Sequence, residues 1–263
     1  MLLAIDVGNT NIVLGVYKEA KLLNSWRLGT NRTRTSDEYG ALVQNLFNQS
    51  GIKLDDIKSV AISSVVPPVN RDLGEFAKKF FKVEAFFVSA KSDMGMTIQY
   101  DSPSDVGADR ICNAVGAYHK YKCPLIVVDY GTATTFDLID ENGDYLGGAI
   151  APGINISMNA LFANAARLFP VEFKAPPSAI GKNMVNSMQS GAVFGFIGQT
   201  EALIKKISEE MLSILKSRGS TAKIKVVATG GLAVLIQKES SMIDAIDDKM
   251  TLEGIRIIFE RSI

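Results

Sequence analysis

Three aspartates in this chain are set among small residues that let backbone and ligand meet: Asp6 in AIDVGNT, Asp129 in VVDYGTATT and Asp109 in GADR. In a D-x-G-N/T-T turn, glycine allows close backbone approach and positive φ. Successive N–H groups can then form an anion-binding concavity, to which Thr or Asn side chains add donors. The acid itself is repelled by phosphate, so it suits the cation that travels with a nucleotide, usually held through water. Alone, Asp6 reads equally well as a strand-end acid satisfying its own turn. Its repetition at Asp129 tips the reading toward function. GADR puts a carboxylate beside a guanidinium at the start of an apolar-rich helix, an end already favourable to anions. There Asp109 can accept a hydroxyl proton while Arg110 steadies a substrate or a migrating phosphoryl group. An ordinary aspartate, with a pKa near ~3.9, is a weak base, which phosphoryl transfer tolerates because it mainly needs a positioned nucleophile.

The elements that must hold these residues alternate. Apolar runs mark strands at 2–6, 11–17, 22–28, 59–64, 84–88, 125–129, 134–140, 145–150 and 224–229. Helical spacing marks 36–50, 70–81, 107–121, 153–166, 183–217 and 251–260, the fifth closed by Gly219. The alternation predicts an α/β fold. LLAIDVGNTNIVLGVYKEAKLLNSWRL and LIVVDYGTATTFDLIDENGDYLGGAI share one plan: strand, Asp, small-residue turn, strand, charged turn, strand. Such an echo indicates duplicated halves facing one another. We therefore expect domains of roughly 1–110 and 111–263, with the last helix able to pack back on the first. A third turn, VVATGGLAVLI, ends a strand in Thr229-Gly230-Gly231, which would let a ring or ribose lie on the backbone, or simply makes a tight strand-to-helix turn. No G-x-x-x-x-G-K-S/T occurs, which excludes a P-loop enzyme.

Composition excludes other classes. The 28 basic residues balance the 28 acidic ones, so no overall field would gather nucleic acid or anionic lipid. No apolar run is long enough to span a membrane, and Asp6 interrupts the first one too early for a signal peptide. With only two cysteines, Cys112 and Cys123, and no disulfide framework, a cytoplasmic location is expected. Cys112, His119 and Cys123 share a helical stripe, but a fourth zinc ligand is missing and Pro124 ends the helix early, so core thiols and a surface histidine are the better reading.

The three turns resemble the actin-like ATPase superfamily, which includes sugar and acetate kinases. DVGNTN, YDSPSDVGADRICNAVGAY, VVDYGTATTFD, GGAIAPG, SMQSGAVFG and TLEGIRIIFER together resemble the type III pantothenate kinases over nearly the whole chain. The resemblance implies two actin-like (ribonuclease H-like) domains around a nucleotide cleft. It implies ATP-dependent phosphorylation of pantothenate to 4'-phosphopantothenate, the first step of coenzyme A synthesis, in a cytoplasmic homodimer using Mg2+ and a monovalent cation, K+ or NH4+. By matching positions, Asp6, Val7, Gly8, Asn9, Thr10, Asn11, Ile12 and Val13 would hold ATP phosphates, with Asp6 on the Mg2+ side through water. Thr132 would touch ATP, and Asp129 would bind the monovalent cation. Tyr100, Gly107, Ala108, Asp109 and Arg110 would contact pantothenate, Asp109 as proton acceptor.

One position departs from the family: after GKN it usually carries Thr, where this chain has Met184, a side chain that cannot donate a hydrogen bond. Either the contact is lost, Asn183 replaces it, or the pocket is altered. Gly191, Gly195 and Gly198 in one helix would let a second helix approach, in a dimer or within one subunit. Two rival readings are a non-catalytic relative that binds pantothenate or nucleotide, and a phosphatase-like hydrolase of the same superfamily. The intact acids speak against the first. The GADR context, which suits an acceptor substrate, speaks against the second.

Overall fold

The computed structural model describes residues 1–263. They divide into two compact units, Met1–Lys120 with Lys249–Ile263, and Tyr121–Asp248. The first contains strands β1 (Leu2–Val7), β2 (Asn11–Lys18), β3 (Lys21–Gly29), β4 (Ser59–Ser64) and β5 (Ala85–Phe87). Around them lie helices α1 (Ser36–Gln49), α2 (Pro67–Phe76) and α3 (Ala108–Tyr121). The second unit holds β6 (Leu125–Tyr130), β7 (Ala133–Ile139), β8 (Tyr145–Pro152), α4 (Ile154–Asn164), α5 (Met184–Ser217), β9 (Lys225–Gly230), α6 (Ala233–Glu239) and β10 (Ala245–Ile246). The chain then returns to the first unit as α7 (Met250–Ser262).

The duplication read from the sequence is a duplication of topology. The first sheet runs β3-β2-β1-β4-β5 and the second β8-β7-β6-β9-β10. In each, the acid-bearing strand pairs antiparallel with the strand after it and parallel with the fourth. Burial repeats as well: β1 and β6 each bury four residues, expose the acid in part, then bury the next. Strands buried this fully are apolar runs rather than alternating ones, because both sheet faces are covered. In the first unit β1, β2 and β4 pack their apolar side chains with Tyr39, Phe47, Leu73 and Phe76 from α1 and α2. In the second, Ile126, Val128 and Phe136 pack with Val193, Ile204 and Met211 of α5.

Local chemistry sets the helix ends. Thr35 caps α1, its side chain accepting from the Glu38 N–H while the Glu38 carboxylate accepts from the Thr35 N–H, a reciprocal capping box. Pro67 occupies the first turn of α2, where its missing N–H costs nothing. The helix expected at 70–81 therefore begins at the proline and passes into a π turn over Ala77–Phe81. Gly219, at φ 74°, follows the last turn of α5.

The division between units falls at the end of α3, not near residue 110, and its reason is a pair of glycines. A Cβ on Gly116 would stand 2.2 Å from the Met250 carbonyl oxygen, and one on Gly254 would stand 1.9 Å from that of Cys112. Helices α3 and α7 thus touch backbone to backbone, which ties α3 to the first unit.

Candidate active site

Strand β1 carries Asp6 to the end of a fully buried run. The turn after it closes with the Gly8 N–H donating to the Asn11 carbonyl at 2.9 Å. That spends inside the turn one of the N–H groups the sequence had offered to phosphate. The exit of β3 buttresses the turn: Thr30 Oγ1 donates to the Gly8 carbonyl at 2.7 Å and the Thr30 N–H to the Thr10 carbonyl at 3.0 Å. Arg32 Nη2 donates to Asn9 Oδ1 at 3.3 Å. Neither Thr30 nor Arg32 was among the residues expected from sequence. Asn9 and Thr10 are exposed and Asn11 and Val13 half-buried, whereas Val7 and Ile12 point into the core and can meet a ligand only through backbone.

Asp109 is the second residue of α3. Its Oδ1 accepts the Arg110 N–H at 2.8 Å, which folds the carboxylate back over the helix start. A Cβ on Gly107 would lie 2.6 Å from that oxygen, so a larger residue before the helix would push the carboxylate out of this pose. Burial raises the Asp109 pKa above the ordinary aspartate value, against the opposing pull of the Arg110 N–H and guanidinium. The ordinary value expected from sequence is therefore corrected: the carboxyl is desolvated, and it is a stronger base for that reason. Ala108 and Arg110 are buried and Tyr100 is half-buried in the preceding loop. That loop is tied to α7, where Arg261 bonds the Asp93 carboxylate at 3.2 Å and the Asp93 N–H donates to Ser262 Oγ.

Cys112 lies one turn further along α3, fully buried. Burial pushes its thiol well above the usual range, the charges of Asp6 and Asp109 push it further, and a hydrogen bond with Ser63 opposes them. The structure thus gathers Asp6, Ser63, Cys112 and Asp109 in one neighbourhood of the first unit. Cys112 is a protonated core thiol, His119 is exposed, and Cys123 lies beyond the end of α3. No group of three His, Cys, Asp or Glu side chains is arranged to hold a metal ion. A lone hard carboxylate such as Asp6 or Asp129 still fits a cation held mainly by phosphate and water.

In the second unit Asp129 stands at the same place on β6 that Asp6 holds on β1, opposite Thr135 of β7 and Thr229 of β9. Thr132 is exposed in the turn, which closes through the Gly131 N–H to the Ala133 carbonyl at 3.1 Å. Tyr130 Oη shares a hydrogen bond with Thr200 Oγ1 at 3.1 Å, and burial pushes its pKa up to about 12. Gly230 has φ 95°, and a Cβ there would stand 2.6 Å from the Tyr130 carbonyl oxygen. Its turn needs glycine whether or not a ring lies on it. Met184 opens α5 at 44% exposure, and Asn183 is that helix's cap, its Oδ1 accepting the Asn186 N–H at 2.9 Å. Outside their own turn of helix, Gly191, Gly195 and Gly198 have no atom within 4 Å of where a Cβ would stand, so no other element of the chain crowds them.

A duplicated five-stranded sheet of this order, with an acid at the end of the first strand of each copy, defines the actin-like ATPase and sugar-kinase fold. Solved structures agree on the fold. A Campylobacter jejuni protein described as a Baf family transcriptional activator superposes with TM-score 0.60 at 17% identity, covering 98% of this chain and 97% of its own. The activator of the 2-hydroxyisocaproyl-CoA dehydratase from Clostridium difficile, solved with ADPNP, gives 0.50 at 12% identity, covering 99% and 95%. Sequence reaches further. Residues 2–206 match the type III pantothenate kinase family description. Type III pantothenate kinases of Myxococcus xanthus and Geotalea uraniireducens are 49% and 47% identical over 262 residues, covering 100% of this chain and 99% of each relative. The chain belongs to the type III pantothenate kinase family.

Proposed function

We propose that this chain transfers the γ-phosphoryl group of ATP to the primary hydroxyl of pantothenate, with Asp109 as the proton acceptor. Family membership supports the reaction. The single observation behind the residue role is the desolvated Asp109 carboxylate at the open end of α3, beside the buried Arg110. The hydroxyl oxygen bonds to the γ-phosphorus, the bond to the β,γ-bridging oxygen breaks, ADP leaves, and the hydroxyl proton passes to Asp109. A desolvated carboxylate takes that proton more readily than an exposed one. Arg110 holds the anionic substrate at the helix N-terminus, and Tyr100 with Gly107 and Ala108 completes that side.

The turn from Asp6 to Val13 is the first unit's contact with nucleotide phosphates, and Thr132 is a nucleotide contact carried by the second unit. Asp6 would hold Mg2+ through water, and Asp129 would hold K+ or NH4+. When bound, these cations supply positive charge that neutralises the phosphate oxygens as the transferring group loosens. The working form is a homodimer. The reading rests on the apolar side chains that α5 exposes, Met184, Val185 and Phe194, and on its three uncrowded glycines.

ADP formation with ATP, Mg2+ and K+, measured with and without pantothenate, tests the reaction: turnover is expected only when pantothenate is present. Turnover indifferent to it overturns the proposal. Replacing K+ by Na+ is expected to lower the rate, and an unchanged rate removes Asp129 from its role.

A further inference from the structure

We propose that Ser63 is a positioning residue: through a buried hydrogen bond it fixes the orientation of the Asp6 carboxylate toward the metal ion that accompanies the nucleotide. The inference rests on the nucleotide role given above to Asp6. Parallel pairing of β1 with β4 sets Asp6 directly beside Ser63, and Ser63 Oγ donates to Asp6 Oδ1 at 3.1 Å. An ionised carboxylate can only accept, so the direction of that bond is fixed.

Packing alone does not require a hydroxyl here. Ser63 follows Val60, Ala61 and Ile62 in β4, and all four are 0% exposed. An alanine would fill most of that space without the cost of burying a polar group. The neighbouring serine is engaged elsewhere. Ser64 Oγ donates to Asn70 Oδ1 at 2.6 Å and accepts the Val66 N–H, holding the entry to α2. Ser63 Oγ is left to the acid and to Cys112. The other half of the repeat has the same strand pairing: Thr229 of β9 lies beside Asp129 of β6 and is 5% exposed. Each strand-end acid is therefore flanked across the parallel pair by a buried residue bearing a hydroxyl. Through Cys112 the contact continues into the helix that carries Asp109.

Residues that orient a metal ligand from behind typically change metal affinity or activity by about 10- to 100-fold when removed. Three proteins decide the matter: wild type, Ser63→Ala, which deletes only the hydroxyl, and Ser63→Thr, which keeps it in the form the second half uses. Mn2+ binding to each in the presence of ADPNP is titrated by electron paramagnetic resonance, alongside kcat, the KM for pantothenate and the unfolding midpoint. We expect Ser63→Ala to bind Mn2+ about tenfold more weakly and to lose about tenfold in kcat. The KM for pantothenate and the melting temperature should hold, and Ser63→Thr should restore both losses. Mn2+ affinity within twofold of wild type in Ser63→Ala overturns the proposal. So does a loss that Ser63→Thr shares or that tracks the melting temperature, since Ser63 would then only fill space. Wild type that turns over ATP without regard to pantothenate overturns the proposed reaction instead, while the Mn2+ titration still judges Ser63.

Discussion

Replacing Gly254 by alanine sets two opposing effects against each other. In the interior of a helix the change normally gains about 1 kcal/mol, because alanine is the better helix former. Here the new methyl would lie 1.9 Å from the Cys112 carbonyl oxygen and 2.6 Å from its carbon. Both are backbone atoms, so no side chain can rotate away, and α7 has to lift from α3 by about 1 Å. Forcing an extra methyl into a closed contact costs about 1–3 kcal/mol, and backbone against backbone belongs at the top of that range. The lift also loosens Leu252, Ile255 and Ile258, all buried on α7. The net expectation is a loss of about 2 kcal/mol, which lowers the melting temperature by about 4–8 °C at this size. Cys112 lies one turn from Asp109, so kcat should fall as well, because misplacement by about 1 Å can cost ~100-fold. Scanning calorimetry on wild type, Gly254→Ala and the control Gly74→Ala checks the sign. Gly74 has open space where its Cβ would go, so its alanine variant should melt at or above wild type. A Gly254→Ala protein that melts no lower than wild type would refute the close contact.

Two further substitutions carry opposite signs. Asp109 holds its proton to higher pH in the folded chain than in the unfolded one, because burial raises its pKa. Ionising it therefore costs stability above the folded value and costs nothing below the ordinary aspartate range. Asp109→Asn should lower kcat by about 10²–10⁴ yet melt at or above wild type at pH 8, the advantage vanishing as the pH drops below ~3.9; melting curves from pH 3 to 8 and single-turnover rates check both. Tyr130→Phe leaves the buried Thr200 hydroxyl without the partner it has at 3.1 Å, and should cost about 1–3 kcal/mol. Adding Thr200→Val should recover most of that loss, and a double-mutant cycle in urea measures the coupling.

The duplicated plan was legible because it is written in short-range pattern: two apolar runs, each ending in one acid and a small-residue turn. The helices that the pattern marked appear within a few residues of their expected ends. What escaped is what depends on distant partners. Strand β10, two residues long, has no periodicity to detect and exists only as a parallel partner of β9. Ser63 sits in AISSVV, which reads as plain strand; its relation to Asp6 arises from a pairing 57 residues apart. Thr30 reaches the turn after β1 in the same way, across 22 residues. The raised pKa of Asp109 was hidden because desolvation belongs to the packed structure, not to the tetrapeptide GADR. Gly116 and Gly254 carried no turn signal, as each serves a helix crossing.

The first unit is built from two stretches of chain, separated by the 121–248 segment that forms the second. A ribosome must therefore release all of the second unit before α7 exists to cover β1, β2 and β4. Until then the sheet that carries Asp6 waits with one apolar face uncovered, while the later half can already close on its own core. The order of maturation is thus the reverse of the order of synthesis: the half that begins first finishes last. A chain interrupted between Asp248 and Met250 would hold a complete second unit and a first one still lacking its cover.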